Sequence, residues 1–111
     1  MANTQRKLLK LVALKRQKAE QALALVQARL RQLESDLQAL QADLARADSG
    51  DADVQALMLA SRHGHMERML SEMDRKQADI ADAKQQLHRA REDLKKILNS
   101  EDQLAQMKTG A

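Results

Sequence analysis

The sequence contains no phenylalanine, tyrosine, tryptophan, proline or cysteine, and only three glycines. Because globular cores usually take much of their buried area from aromatic side chains, this absence argues against a compact globular domain. The lack of cysteine excludes disulfides and thiolate chemistry, and it fits the reducing cytoplasm. The longest apolar runs, residues 22–26 and 56–60, are only five residues long and are far too short to span a bilayer. We therefore expect a soluble cytoplasmic protein that is at most peripheral to a membrane.

Helix-forming and charged residues dominate the composition instead. Charged residues make up 32% of the 111 residues, which is typical of long helices and coiled coils. Apolar residues alternate steps of three and four, the spacing of a left-handed coiled-coil seam. This pattern predicts one helix over about residues 4–48. Its seam positions are Leu9, Val12, Arg16, Ala19, Leu23, Val26, Leu30, Leu33, Leu37, Leu40, Leu44 and Ala47.

The one convincing turn covers about residues 49–53, where Gly50 can end one helix and nearby aspartates can cap the next. After this turn the same alternation resumes and predicts a second helix over about residues 54–98. Beyond that helix the pattern weakens, so we expect residues 99–111 to form a frayed tail. The second seam consists of Leu59, Arg62, Met66, Met69, Met73, Lys76, Ile80, Ala83, Leu87, Ala90, Leu94 and Ile97.

A short turn between two helices of similar length returns the second helix antiparallel to the first. The predicted fold class is therefore all-α, an antiparallel two-helix coiled-coil hairpin that forms a single domain over residues 1–111. Facing residues should then have numbers that add up to about 102, so that Leu30 would face Met73.

Apolar residues outside the two seams stay exposed unless a partner covers them. At the start of the first helix, Leu8, Leu11 and Leu14 are such residues, and they predict contact with another protein or with a second copy in a homodimer. In the second helix, Leu70 lies beside a methionine-rich stretch of the seam. Methionine suits surfaces that accept several partners, but the favoured interpretation is that these methionines fill a loosely fitting seam. They are Met66, Met69 and Met73.

Positive charge is concentrated in two segments that the hairpin would bring together. Residues 1–20 contain six basic residues and one acidic residue, and residues 84–96 contain five and two. This basic end could attract phosphates, but the sequence has no aromatic residue for stacking on bases and no recognition motif. Nucleic acid is therefore a less favoured partner. Docking of residues 6–16 on a membrane surface is a similar alternative, which lacks an aromatic anchor.

The sequence shows no arrangement that favours catalysis. His63 and His65 would point about 200° apart on a helix and could not share one metal ion. Asp79 and Asp82 lie on one side of the second helix, but no concave site surrounds them, so the sequence does not favour an acid/base pair. We therefore predict a protein that is not an enzyme, with no catalytic residues, metal site, cofactor or small-molecule substrate.

The order of these features resembles the flagellar FliJ and YscO-like stalk proteins of type III export systems. The resemblance combines Gln/Ala/Leu heptads, a short polar turn and a second long helix with two basic stretches. These stretches are Arg6-Lys7-Leu8-Leu9-Lys10-Leu11 and Lys15-Arg16-Gln17-Lys18-Ala19-Glu20. Members of that family are antiparallel two-helix coiled coils similar to the rotor stalk of rotary ATPases.

The resemblance implies a stalk or adaptor in the cytoplasm, at the inner-membrane export apparatus. The end that bears both termini would enter the pore of the export ATPase hexamer, and the rest would reach an export gate component or export chaperones. The gate contact would fall between Met66 and Met73. A generic oligomeric coiled-coil scaffold or chaperone without an ATPase partner is the alternative. The implied pore residues are Leu8, Leu9, Leu11, Val12, Lys15 and Arg16 together with Arg91, Leu94 and Lys95.

Overall fold

The protein consists of two long helices that pack against each other in opposite directions. The computed structural model describes the backbone of residues 2–48 and 52–109 and the side chains of residues 3–46 and 64–107. Helix α1 spans Ala2–Asp48 and helix α2 spans Ala52–Thr109. The predicted all-α fold, an antiparallel two-helix coiled-coil hairpin, is confirmed. The predicted turn includes residues 49–51, which lie outside the described residues.

The two predicted seams form the contact between the helices. Every described seam position on both helices is buried or half-buried, whereas most positions between them are exposed. Leu33, Met69 and Ala83 are the buried apolar side chains among the described residues. The core is thin because two helices can enclose only the stripe along which they meet.

Helix α2 is longer than the sequence pattern predicts. The prediction of a frayed tail over residues 99–111 is wrong for its described part, because α2 continues to Thr109. Glu101 and Leu104 are half-buried and extend the seam beyond Ile97 at the same spacing. Gln5 on α1 secures this last stretch, since its Nε2 donates a hydrogen bond of 3.3 Å to the carbonyl oxygen of Leu104.

The register of the hairpin also differs from the expected one. Gln5 contacts Leu104, and Lys76 lies 3.6 Å from Asp36, so the numbers of these facing residues add up to 109 and 112. The long side chains of Arg16 and Glu101 also meet, and their numbers add up to 117. The expected value of about 102, which paired Leu30 with Met73, is therefore wrong by about one heptad. A shift of one heptad leaves the same side chains in the seam, which is why the seam positions are nevertheless correct.

The chain divides into two compact units. The terminal unit joins Met1–Ala28 to Lys84–Ala111 and holds both ends of the chain, and the central unit comprises Arg29–Ala83. Each unit contains a segment of α1 and a segment of α2. In the part of the chain that the structure describes, neither helix has a stretch apolar and long enough to cross a membrane.

Candidate partner-binding surface of the terminal unit

The first turns of α1 expose leucines that the hairpin does not cover. Leu8, Leu11 and Leu14 are 43%, 50% and 58% exposed, while Leu9 and Val12 between them lie half-buried in the seam. This exposure was predicted and is confirmed. A helix segment that is apolar on more than its seam face has surface available for another protein.

Among the described residues of the terminal unit, three further large apolar side chains are exposed, and sequence reasoning missed them as candidates. Leu25 directly precedes the seam residue Val26 on α1, and Leu98 directly follows the seam residue Ile97 on α2. Met107 lies in the stretch expected to fray. The signal for Leu98 and Met107 would have been the continuation of the seam through Glu101 and Leu104. If the helix is extended through these two positions, Leu98 and Met107 both lie on it but outside its seam, where side chains are expected to be exposed.

A groove of about 670 Å³ runs between the two helices of the terminal unit. Ala19 and Ala90 occupy the seam here, and their small side chains leave space beside the helix contact. Long cationic side chains stand around this space: Lys15 and Lys18 come from α1, and Arg89 and Lys96 come from α2. The full lining is Lys15, Lys18, Ala19, Ala22, Gln86, Arg89, Ala90, Asp93, Lys96 and Ile97.

Two smaller hollows extend this groove towards the ends of the chain. The first, of about 190 Å³, shares Lys15, Lys96 and Ile97 with the larger groove. The second, of about 460 Å³, lies between the start of α1 and the end of α2 and is lined by Thr4, Gln5, Leu8, Leu104 and Met107. We call the three hollows together the basic groove.

The structure brings together some of the predicted pore residues and separates others. Leu8, Val12 and Lys15 line the basic groove, where the cations from α2 are Arg89 and Lys96. The cations of α2 that were expected in the pore are Arg91 and Lys95. Both are exposed, and neither lines the basic groove.

Arg16 has a role inside the hairpin. Its Nε lies 3.1 Å from Oε2 of Glu101 on α2, and its Nη1 lies 3.7 Å from Oε1 of Glu20 on α1. Leu9 and Leu94 are likewise half-buried seam residues. These three residues support the helix pair, and contact with an ATPase stays a prediction for them.

The methionines of the central unit divide between packing and surface. Met69 is 6% exposed and belongs to the core, and Met66 and Met73 are half-buried in the seam. The interpretation that these methionines fill the seam therefore holds for Met69. Leu70 is 47% exposed, so it presents apolar surface in this stretch, and contact with a gate component stays a prediction.

Metal chemistry finds no support among the described side chains. They contain no group of three histidine, cysteine or carboxylate residues placed to hold a metal ion. His65 is exposed, and the side chain of His63 lies outside the described ones. The predicted lack of catalysis and of cofactors stays a prediction.

Fold and surface together define an antiparallel coiled-coil hairpin whose terminal unit presents apolar and basic side chains. No protein-family model, curated protein or solved structure matches the chain. The resemblance to the FliJ and YscO-like stalk proteins therefore stays a prediction, and it enters the function below as a proposal.

Proposed function

We propose that the protein is a non-enzymatic stalk or adaptor of a flagellar or type III protein export apparatus. In this proposal the terminal unit binds the export ATPase hexamer, and the central unit reaches an export gate component or an export chaperone. The protein would act in the cytoplasm, at the inner-membrane export apparatus. The observation that carries the proposal is the exposure of Leu8, Leu11 and Leu14 on a helix that already buries its own seam.

The dimensions of the terminal unit suit insertion into a ring. Two packed helices are about 20 Å across, because each helix with its side chains has a diameter of about 10–12 Å. Exposed leucines on such a narrow element can bury their surface against the wall of a channel, which is worth about 25 cal/mol for each Å² of apolar area. Lysines beside them would favour an acidic wall.

The central unit supplies a candidate second contact. Leu70 is exposed beside Met69, which is buried, and Met66 and Met73, which are half-buried. A partner that covers Leu70 could also contact the exposed edges of Met66 and Met73. Methionine tolerates different partner shapes because its side chain is unbranched and flexible, so one surface could serve both a gate component and a chaperone.

The ATPase contact is tested by measuring ATP turnover and hexamer assembly of the cognate export ATPase with the protein added. We expect the wild-type protein to increase both, and a variant with Leu8→Ser, Leu11→Ser and Leu14→Ser to lose the increase. Leu70→Ser is the matched control, because it removes an equally exposed leucine from the central unit. Its effect on the ATPase should equal that of the wild type.

A wild-type protein without any effect on the cognate ATPase would remove the proposal. Sedimentation of the same variants examines the alternative, an oligomeric scaffold. The scaffold is the better interpretation if the wild-type protein sediments as an oligomer, the triple serine variant sediments as a monomer and the ATPase responds to neither protein.

A further inference from the structure

The basic groove has the form of a docking site for a third helix. We propose that it binds an amphipathic helix of a partner protein, which lies along the terminal unit and points carboxylates at Lys15, Lys18 and Lys96. This inference shares Leu8, Leu11 and Lys15 with the proposed ATPase contact, but its argument and its test do not require that contact. It rests on the length of the groove, its apolar base and its unpaired charge.

The length of the groove matches a helix. On α1 its lining extends from Thr4 to Ala22. At 1.5 Å per residue this is about 27 Å, the length of a helix of about 18 residues. A groove between two packed helices is also where the third strand of a trimeric coiled coil lies, and apolar grooves of this kind commonly receive amphipathic helices.

The base and flank of the groove are apolar. Ala19, Ala90 and Ile97 are half-buried lining residues that offer no polar group. Leu11 and Leu25 lie seven residues before and after Lys18, so all three share one stripe of α1. Both leucines are exposed, and a helix in the groove would remove apolar surface of both from water.

The charge around the groove selects an acidic partner. Lys15, Lys18, Arg89 and Lys96 line it against one carboxylate, that of Asp93. Within the described residues, none of these four cations forms an ion pair, whereas the cations at the seam do. Carboxylates on an incoming helix would supply the missing partners and would guide its approach.

The same features disfavour other occupants. A second copy that docked through the same face would place like charges against each other, because a two-fold interface pairs a patch with itself. Nucleic acid would find no aromatic side chain for stacking. A small molecule would find none of the buried polar groups that fix ligands, since no described polar side chain is buried.

The test uses the full chain and two synthetic peptides of about 18 residues, the length of the groove at 1.5 Å per residue. Both peptides carry leucines at coiled-coil spacing, and the residues that flank the leucines are glutamate in one peptide and lysine in the other. Binding is followed by fluorescence anisotropy at physiological ionic strength, and the gain of helix on mixing is followed by circular dichroism. We expect the glutamate peptide to bind and to gain helix, and the lysine peptide to do neither.

A pair of matched variants locates the site. The groove variant carries Lys15→Glu, Lys18→Glu and Lys96→Glu. The control variant carries Lys7→Glu, Lys10→Glu and Lys84→Glu, three exposed positions of the same unit, so both proteins change net charge equally. We expect the groove variant to weaken binding about tenfold or more, while the control stays within about twofold. If the groove variant fails to fold, the corresponding glutamine substitutions replace it.

Several results would overturn the proposal. The first is that the glutamate peptide does not bind, and the second is that both peptides bind equally. The third is an equal loss of glutamate-peptide binding in the groove variant and the control variant, which would indicate unspecific electrostatic attraction. Binding of duplex DNA that depends on Lys15, Lys18 and Lys96 would also overturn it. The proposal would also be overturned if the wild-type protein and the control variant formed a concentration-dependent dimer and the groove variant did not. Because no ATPase is present, these results do not depend on the proposed stalk function.

Discussion

Arg16 on α1 and Glu101 on α2 form an ion pair in the seam of the terminal unit, with 3.1 Å between Nε and Oε2. Both side chains are about a third exposed, yet the Nε atom itself is shielded from water and has no aligned hydrogen bond. The carboxylate of Glu101 therefore compensates this part of the guanidinium charge. In the central unit, Lys76 occupies a seam position in the same way and pairs with Asp36.

The first prediction concerns the strength of this pair. Glu101→Lys should lower the free energy of unfolding by about 1 kcal/mol, because it replaces attraction by repulsion at a partly screened site. The exchanged pair, Arg16→Glu with Glu101→Arg, should recover part of the loss. Recovery will be incomplete because Glu20 then faces a second carboxylate. Urea unfolding measures the free energy of unfolding of the wild type, of Glu101→Lys and of the exchanged pair. If the exchanged pair is no more stable than Glu101→Lys, the pairing is contradicted.

The second prediction concerns register. If Arg16 and Glu101 are both replaced by leucine, stability should rise or stay equal, but the helices should lose part of their preference for one alignment. The chain has no cysteine, so spin labels at Gln17→Cys and Lys95→Cys report one distance within the terminal unit. We expect a second distance population in the leucine variant, because a shift of one heptad slides the helices by about 10 Å along each other. A single unchanged distance would show that other contacts fix the register.

The third prediction concerns close packing at Ala83, which is 1% exposed. Ala83→Leu should destabilise the hairpin by about 1–3 kcal/mol, since the extra side chain has to push the helices apart. Ala81→Leu is the matched control because Ala81 is exposed on the same helix. Thermal unfolding compares the two variants. Equal melting temperatures would mean that the helices do not approach closely at Ala83.

The fourth prediction distinguishes an ordered end of α2 from a frayed one. Leu104→Ala should cost about 1–2 kcal/mol, somewhat less than a fully buried leucine, because Leu104 is half-buried against the start of α1. Leu98→Ala removes an exposed leucine six residues earlier and should change stability very little. Chemical denaturation measures both variants. If Leu104→Ala is also neutral, residues beyond Ile97 contribute nothing to the hairpin.

The fifth prediction uses Gly64, which lies inside α2. A β-carbon built at this position meets nothing within 4 Å, and the residue has no left-handed backbone conformation. Gly64→Ala should therefore stabilise the protein by about 0.5–1 kcal/mol through the lower entropy of the unfolded chain. A rise in melting temperature checks this. A fall would show that flexibility at Gly64 relieves strain in the helix.

The seam could be predicted from sequence because burial follows the heptad. The steps from Leu9 to Leu44 depend only on which residues are apolar, and every described seam position is indeed buried or half-buried. The register could not be predicted in the same way, because each heptad looks much like the next and a shift by seven residues keeps the same side chains inside. The polar seam residues carry that information. Arg16 appeared as an interruption of the pattern, and only its partner Glu101 shows that it marks an alignment.

The candidate site was predicted only in part for a related reason. The exposure of Leu8, Leu11 and Leu14 follows from their position outside the seam on one helix, so it could be predicted without knowing how the second helix is aligned. The basic groove depends on which side chains of α2 stand opposite α1, and that depends on register. Arg89 and Lys96 were therefore missed, although both belong to a segment recognised as basic.

The terminal unit joins the first 28 residues of the chain to residues 84–111, with the whole central unit between them. During synthesis the start of α1 therefore leaves the ribosome long before the segment that covers its seam exists. Until residues 84–111 have been synthesised, Leu9 and Val12 are as open to water as Leu8 and Leu11. The nascent chain consequently passes through a period in which the leucine-rich start of α1 is accessible to chaperones and to aggregation.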